Sequence, residues 1–176
     1  MNPLIRYRRE VMEFAILFIM AFLIKIINDG HYVKTYVLET IIIVLTITKT
    51  LYFIFENSVQ LLNATAQDIP YHRFLLLTTY NIGQMMLSYA IDFFMLYELD
   101  KSSFTGVNPA FTVYEEMFEF FYFSVLNFTF FGFGDLTPAN IPTKIVMLFE
   151  VIMAFLTMIF ILSDFISMKD SLRKKS

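Results

Sequence analysis

The chain has 176 residues, of which 57% are hydrophobic, 18% aromatic and 16% charged, and its formal net charge is -3. An ordinary soluble domain carries about 25% charged residues, so this composition points to membrane rather than to an unusually large core. The slight negative charge argues against a nucleic-acid partner, and a chain with no Cys has no disulfide framework, thiolate metal site or Cys nucleophile.

A bilayer-spanning helix needs about 20 mainly apolar residues. In chain order, spans are expected over residues 11–27, 37–55, 74–99 and 143–168. The basic start before the first apolar stretch suggests a signal peptide, but Ile26-Ile27-Asn28-Asp29 lacks the small residues of a cleavage site. A retained helix is therefore expected. Residues 57–73 read as a polar linker with a weakly amphipathic stretch at 58–64. His31 and His72 stand far apart in predicted loops and read as surface residues rather than a metal pair.

Between the third and fourth spans lies an aromatic run, residues 114–128, too short to cross the bilayer. It leads directly into Thr129-Phe130-Phe131-Gly132-Phe133-Gly134-Asp135. A half-helix followed by irregular backbone is tolerated at membrane depth where it lines a water-filled path. Paired glycines suit a loop that must turn successive carbonyls toward a dehydrated cation, because other residues resist the necessary angles.

Basic residues set the orientation. With four crossings, Arg6, Arg8, Arg9, Arg73, Lys169, Arg173, Lys174 and Lys175 fall on one side, and Lys34, Lys101 and Lys144 on the other. Both termini are predicted cytoplasmic, which leaves the glycine loop outside.

On Phe123-Ser124-Val125, Thr129 and the frame Gly132-Phe133-Gly134-Asp135, the segment resembles the pore signature of tetrameric potassium channels. The resemblance covers residues 111–167, about one third of the chain. Together with the expected spans, it implies an all-α membrane protein of four transmembrane helices, with a re-entrant pore helix and filter loop between helices three and four. The implied organisation is a cytoplasmic N-terminus (1–10), a peripheral helix pair (11–56), a cytoplasmic linker (57–73), a pore module (74–168) and a basic cytoplasmic tail (169–176). The implied function is a homotetrameric cation channel of the cell membrane, multi-pass and lipid-embedded. Potassium or sodium is the permeant ion, held by the main-chain carbonyls of Phe130, Phe131, Gly132 and Phe133. No cofactor, nucleic acid, small-molecule substrate or enzymatic activity is implied.

Three positions depart from the family pattern. Phe130 replaces the inner threonine whose hydroxyl helps form the innermost ion site. Phe131 replaces a valine that packs behind the filter, adding bulk where overpacking typically costs about 1–3 kcal/mol. Phe133 replaces a tyrosine whose hydroxyl braces the filter. Reduced selectivity among monovalent cations is the expected result. The alternative these departures support is a non-conducting membrane scaffold or accessory subunit with a degenerate filter.

By the same resemblance, Glu150 falls where relatives carry a Glu behind the filter, and Ala154 where many carry a hinge glycine. Continuing by fours places Met158, Leu162 and Ile166 on one stripe with Ala154. That stripe either lines an inner mouth that gates by dewetting or packs on the third helix. Glu115, Glu116 and Glu119 open the pore helix. They read both as acids complementing a helix dipole and as an outer acidic vestibule concentrating cations. Among charges within spans, Lys25 is expected to pair with Glu39, Lys49 to snorkel to the inner surface, and Asp92 to bond the pore helix or loop, or to face a water-filled crevice. One Lys in each of the first two helices makes a voltage sensor an unfavoured expectation.

Overall fold

The computed structural model describes the backbone of residues 33–66, 71–132 and 134–174, and the side chains of 33–55, 76, 78–132 and 134–163. The expected first span (11–27), with Arg6, Arg8, Arg9, Glu13 and Lys25, lies outside the described residues, as do His31, Phe133 and Lys175.

The described chain is mainly helical. Helix α1 is Thr35–Ala66, α2 is Tyr71–Leu99, α3 is Val113–Phe128 and α4 is Ile141–Lys174. Two short strands, β1 at Phe104–Thr105 and β2 at Thr137–Pro138, pair antiparallel, with Phe104 opposite Pro138 and Thr105 opposite Thr137. Thr35–Phe55 of α1 and Ile141–Ser163 of α4 are long and apolar enough to cross a membrane, with mean hydropathies of 1.9 and 2.8. Helix α2, expected as a third span, is not one of these two. Asn81, Gln84, Ser88 and Asp92 make it markedly more polar.

Much of the segment expected as a linker is helix. Helix α1 continues through residues 57–66 because neither Gly nor Pro interrupts it before Pro70. Helix α4 likewise outruns its expected end and reaches Lys174.

Helices α1, α3 and α4 each have one inward stripe at helical spacing, whereas α2 is buried nearly all round from Ser88 to Tyr97. On α1 it is Leu38, Ile42, Thr46, Thr50 and Phe53, and on α4 it is Thr143, Val146, Glu150, Met153 and Thr157. Helix α3 buries Glu116, Phe120, Phe123, Ser124 and Asn127 against α2 and α4. At the heart of the packing, Phe93 of α2 meets Phe123 edge-on at 5.1 Å, and Phe104 of β1 meets Phe120 at 5.0 Å. Such edge-to-face pairs contribute roughly 0.5–1.5 kcal/mol beyond burial. They seat the short helix and fix where its C-terminal end delivers the glycine loop.

Candidate functional site

The site begins at the N-terminus of α3. Thr112 caps the helix: its side chain accepts from the Glu115 N–H, and the Glu115 carboxylate accepts from the Thr112 N–H at 2.7 Å and from its hydroxyl. The Thr112 backbone N–H first, then its hydroxyl, hold the Glu115 carboxyl below its ordinary pKa.

The other end of α3 closes with a Schellman arrangement. The Phe130 N–H donates to the Asn127 carbonyl at 3.2 Å, and the Phe131 N–H reaches back to the Leu126 carbonyl at 3.0 Å. Thr129 is the C-cap, and its hydroxyl donates to the Val125 carbonyl at 2.7 Å. The left-handed position of such a motif is usually glycine. Here it is Phe130, at φ 58°. A non-glycine residue in this region costs roughly 1–2 kcal/mol.

Gly132 follows at φ 84°, with open space around it, so backbone angle rather than crowding calls for glycine there. Gly134 is different: a Cβ would stand 3.1 Å from Leu126 and 3.6 Å from Tyr122, so the loop returns alongside α3. Phe131 is 83% exposed. Its own chain therefore does not pack the Phe131 ring behind the loop. Phe133 lies outside the described residues.

Behind the loop, Glu150 is fully buried. It accepts from the Ser124 hydroxyl and, at 3.1 Å, from the Asn127 side-chain amide. This carboxylate thus ties α4 to the last turns of α3. Deeper still, Lys49 of α1 forms a buried ion pair with Asp92 of α2. Lys49 also donates to the Ser88 carbonyl at 2.9 Å and its hydroxyl at 3.0 Å, and lies 4.7 Å from the Tyr89 ring centroid. The Thr46 hydroxyl donates to Asp92, and Thr50 and Tyr89 share a hydrogen bond of 2.6 Å. Two expectations are corrected here. Lys49 does not snorkel to a surface, and Asp92 bonds α1 rather than α3 or the loop, because each is the other's nearest opposite charge in a dry interior. The Lys25–Glu39 pair lies outside the described residues on the Lys25 side.

The three acids of α3 have different surroundings. Glu115 serves the cap. Glu116 is buried, with Lys101 3.4 Å away. Burial alone lowers the Lys101 pKa, but its hydrogen bond to Glu98 and the charges of Glu98 and Glu116 outweigh this and hold it above its ordinary value. Only Glu119 borders the loop, lining a shallow hollow with Tyr122, Leu126, Gly134 and Asp135.

The expected inner stripe also divides. Ala154 is buried within the chain, next in sequence to buried Met153, whereas Met158 and Leu162 are exposed. Ala154 therefore lies off the free face, which runs through Ile152, Phe155, Ile159 and Leu162 at helical spacing. Ile166 lies further along the same helix, and its side chain is outside the described residues. A second exposed stripe, Tyr114, Phe118 and Tyr122, runs along α3.

Comparison with protein families, curated proteins and solved structures found no match.

Sequence reasoning missed Ser88, Asn127 and Gly106, and did not pair Lys49 with Asp92. Asn127 had a signal: it lies one turn beyond Ser124 on the buried stripe, and a buried amide needs a partner. Gly106 carried no local signal, since its need for glycine arises from a distant segment. At φ 96°, it lies so close to Asp135 that a Cβ would overlap the Asp135 carbonyl oxygen.

Proposed function

We propose that this chain is one subunit of a homotetrameric, multi-pass membrane channel that conducts monovalent cations passively, with both termini cytoplasmic. The permeant ion, potassium or sodium, exchanges its water for the main-chain carbonyls of Phe130, Phe131, Gly132 and Phe133 contributed by four copies. One strand cannot surround an ion, so a closed ring of copies is required. The protein performs no covalent chemistry.

The observation that carries this reading is a juxtaposition. Helix α3, 16 residues long, extends about 24 Å, short of the roughly 30 Å hydrocarbon core. It ends in the exposed Thr129–Asp135 loop, beside a helix of spanning length whose free face is apolar. Glu150, Ser124 and Asn127 hold the loop's root from behind. Bulky Phe155, Met158, Ile159 and Leu162 suit an apolar inner mouth.

A second reading has its own support. Phe130 takes part in a helix cap rather than an extended run, and this favours a non-conducting subunit with a degenerate filter. Purified protein in liposomes separates the two. The channel reading predicts potassium or sodium flux down a gradient, with modest preference between them. Flux no greater than in empty liposomes rejects it. In a conducting protein, Phe130→Thr with Phe131→Val is expected to raise potassium preference, and an unchanged ratio would misplace the ion sites.

A further inference from the structure

The loop has two ends, and α3 fixes only the first. The second end, Asp135 to Asn140, is held by the connection between α2 and α3. Asp100 opens this connection as a turn, its carboxylate accepting from the Ser102 N–H at 2.9 Å and its carbonyl from the Ser103 N–H at 2.9 Å. The fully buried Ser103 then presents its carbonyl to the Ala139 N–H at 2.8 Å and to the Thr143 hydroxyl at 3.3 Å. Phe104 and Thr105 pair with Pro138 and Thr137, and the two threonine hydroxyls are hydrogen-bonded. Gly106 closes the connection against the Asp135 backbone: a Cβ would overlap that carbonyl oxygen and stand 2.8 Å from its carbon. Leu136, between the ladder and Asp135, is 3% exposed and anchored in the core.

The geometry points to Ser103–Gly106 as a strap that positions the outer end of the ion pathway, with Gly106 as its positioning residue. The inference deepens the channel reading and rests on it. Gly106 is required twice over. Its φ belongs to the left-handed region, and its missing side chain lets two backbones touch directly behind Asp135. Any side chain there pushes the Asp135 backbone away, and the adjoining Gly134 carbonyl moves with it. The strap therefore sets ion discrimination at the outer mouth, independently of the three phenylalanines.

The test uses the full chain in phosphatidylcholine–phosphatidylglycerol liposomes, reading the potassium-to-sodium flux ratio. Gly106→Ala is expected to abolish the modest preference, bringing that ratio to about one with oligomer size unchanged, since a displacement of about 1 Å in a positioned group has large effects. A strap that only stabilised the fold would lower the melting temperature and leave the ratio unmoved. Because the chain has no Cys, the double variant Thr105→Cys, Thr137→Cys supplies a second test across the directly opposed pair. Oxidised, it is expected to keep the unaltered ratio. Reduced, it lacks the hydroxyl bond, and its ratio is expected to move the same way as that of Gly106→Ala. If Gly106→Ala does not assemble, the oxidised-to-reduced comparison decides. Ratios unchanged in the assembled Gly106→Ala protein, or equal in the oxidised and reduced double variant, overturn the inference while leaving the channel reading intact. Absence of flux in the unaltered chain overturns both.

Discussion

Phe130 is the residue at which local strain and proposed function meet. It holds a left-handed conformation at φ 58° with the residue 43% exposed, so partial burial offsets only part of the backbone cost. Phe130→Gly is expected to leave stability unchanged or raise it by up to about 1 kcal/mol, and Phe130→Ala to give no such gain, because alanine keeps the Cβ. Thermal melts of the two variants in detergent check this contrast. The Lys49–Asp92 pair makes the opposite kind of prediction. Lys49→Met alone leaves a buried carboxylate unpaired and is expected to cost about 3–5 kcal/mol, while Lys49→Met with Asp92→Leu is expected to recover most of that loss. Equal melting temperatures for the single and double variants would mean that the two side chains are not coupled. Asp92's partner was not legible in the sequence because it lies on another helix far away along the chain. Burial had to be known before opposite charges could be matched.

At the scale of elements, α3 was the most legible part of the fold. Its start is written in Thr112 and Glu115, three residues apart as a capping box requires, and its expected end, Phe128, is where the turn at Phe130 closes it. The extents of α1 and α4 were less legible. Polar residues in 57–66 suggested a linker, but polarity does not break a helix when no Gly or Pro is present. The surroundings of the three acids were less legible for a related reason. Composition placed three acids in one turn and a half, but the helical period sends Glu115 to the cap, Glu116 inward and Glu119 toward the loop. Thr112→Ala is expected to cost about 1 kcal/mol of stability. Because the folded state holds the Glu115 carboxyl below its ordinary pKa, the cap's contribution is present above the ordinary carboxylate range. It is lost as pH falls through the lowered folded value. Glu115→Gln is expected to flatten the acid limb of the stability–pH curve, and an unchanged limb would remove Glu115 from the account.

At the scale of the whole molecule, the exposed apolar stripes are unevenly distributed. Tyr114, Phe118 and Tyr122 form one exposed stripe on α3, and Phe155, Ile159 and Leu162 form another on α4. A ring of copies would cover the first stripe with a neighbour and turn the second toward the axis. Ile159→Glu is therefore expected to admit water to the inner mouth and raise basal flux, whereas Phe118→Glu is expected to break the ring, which size-exclusion chromatography with light scattering measures. The sequence pattern made the glycine loop legible because its spacing is local. Which helix faces look outward was settled only by packing, as Ala154 illustrates: it shares a stripe by count with Met158 and Leu162 but is buried within its own chain. The most direct measurement is a density map of the assembled protein in potassium-containing buffer. Four copies around one axis, with ion density between Phe130 and Gly134, is the predicted result. A monomer, or an assembly whose loop faces lipid or is filled by its own phenyl rings, would contradict the account.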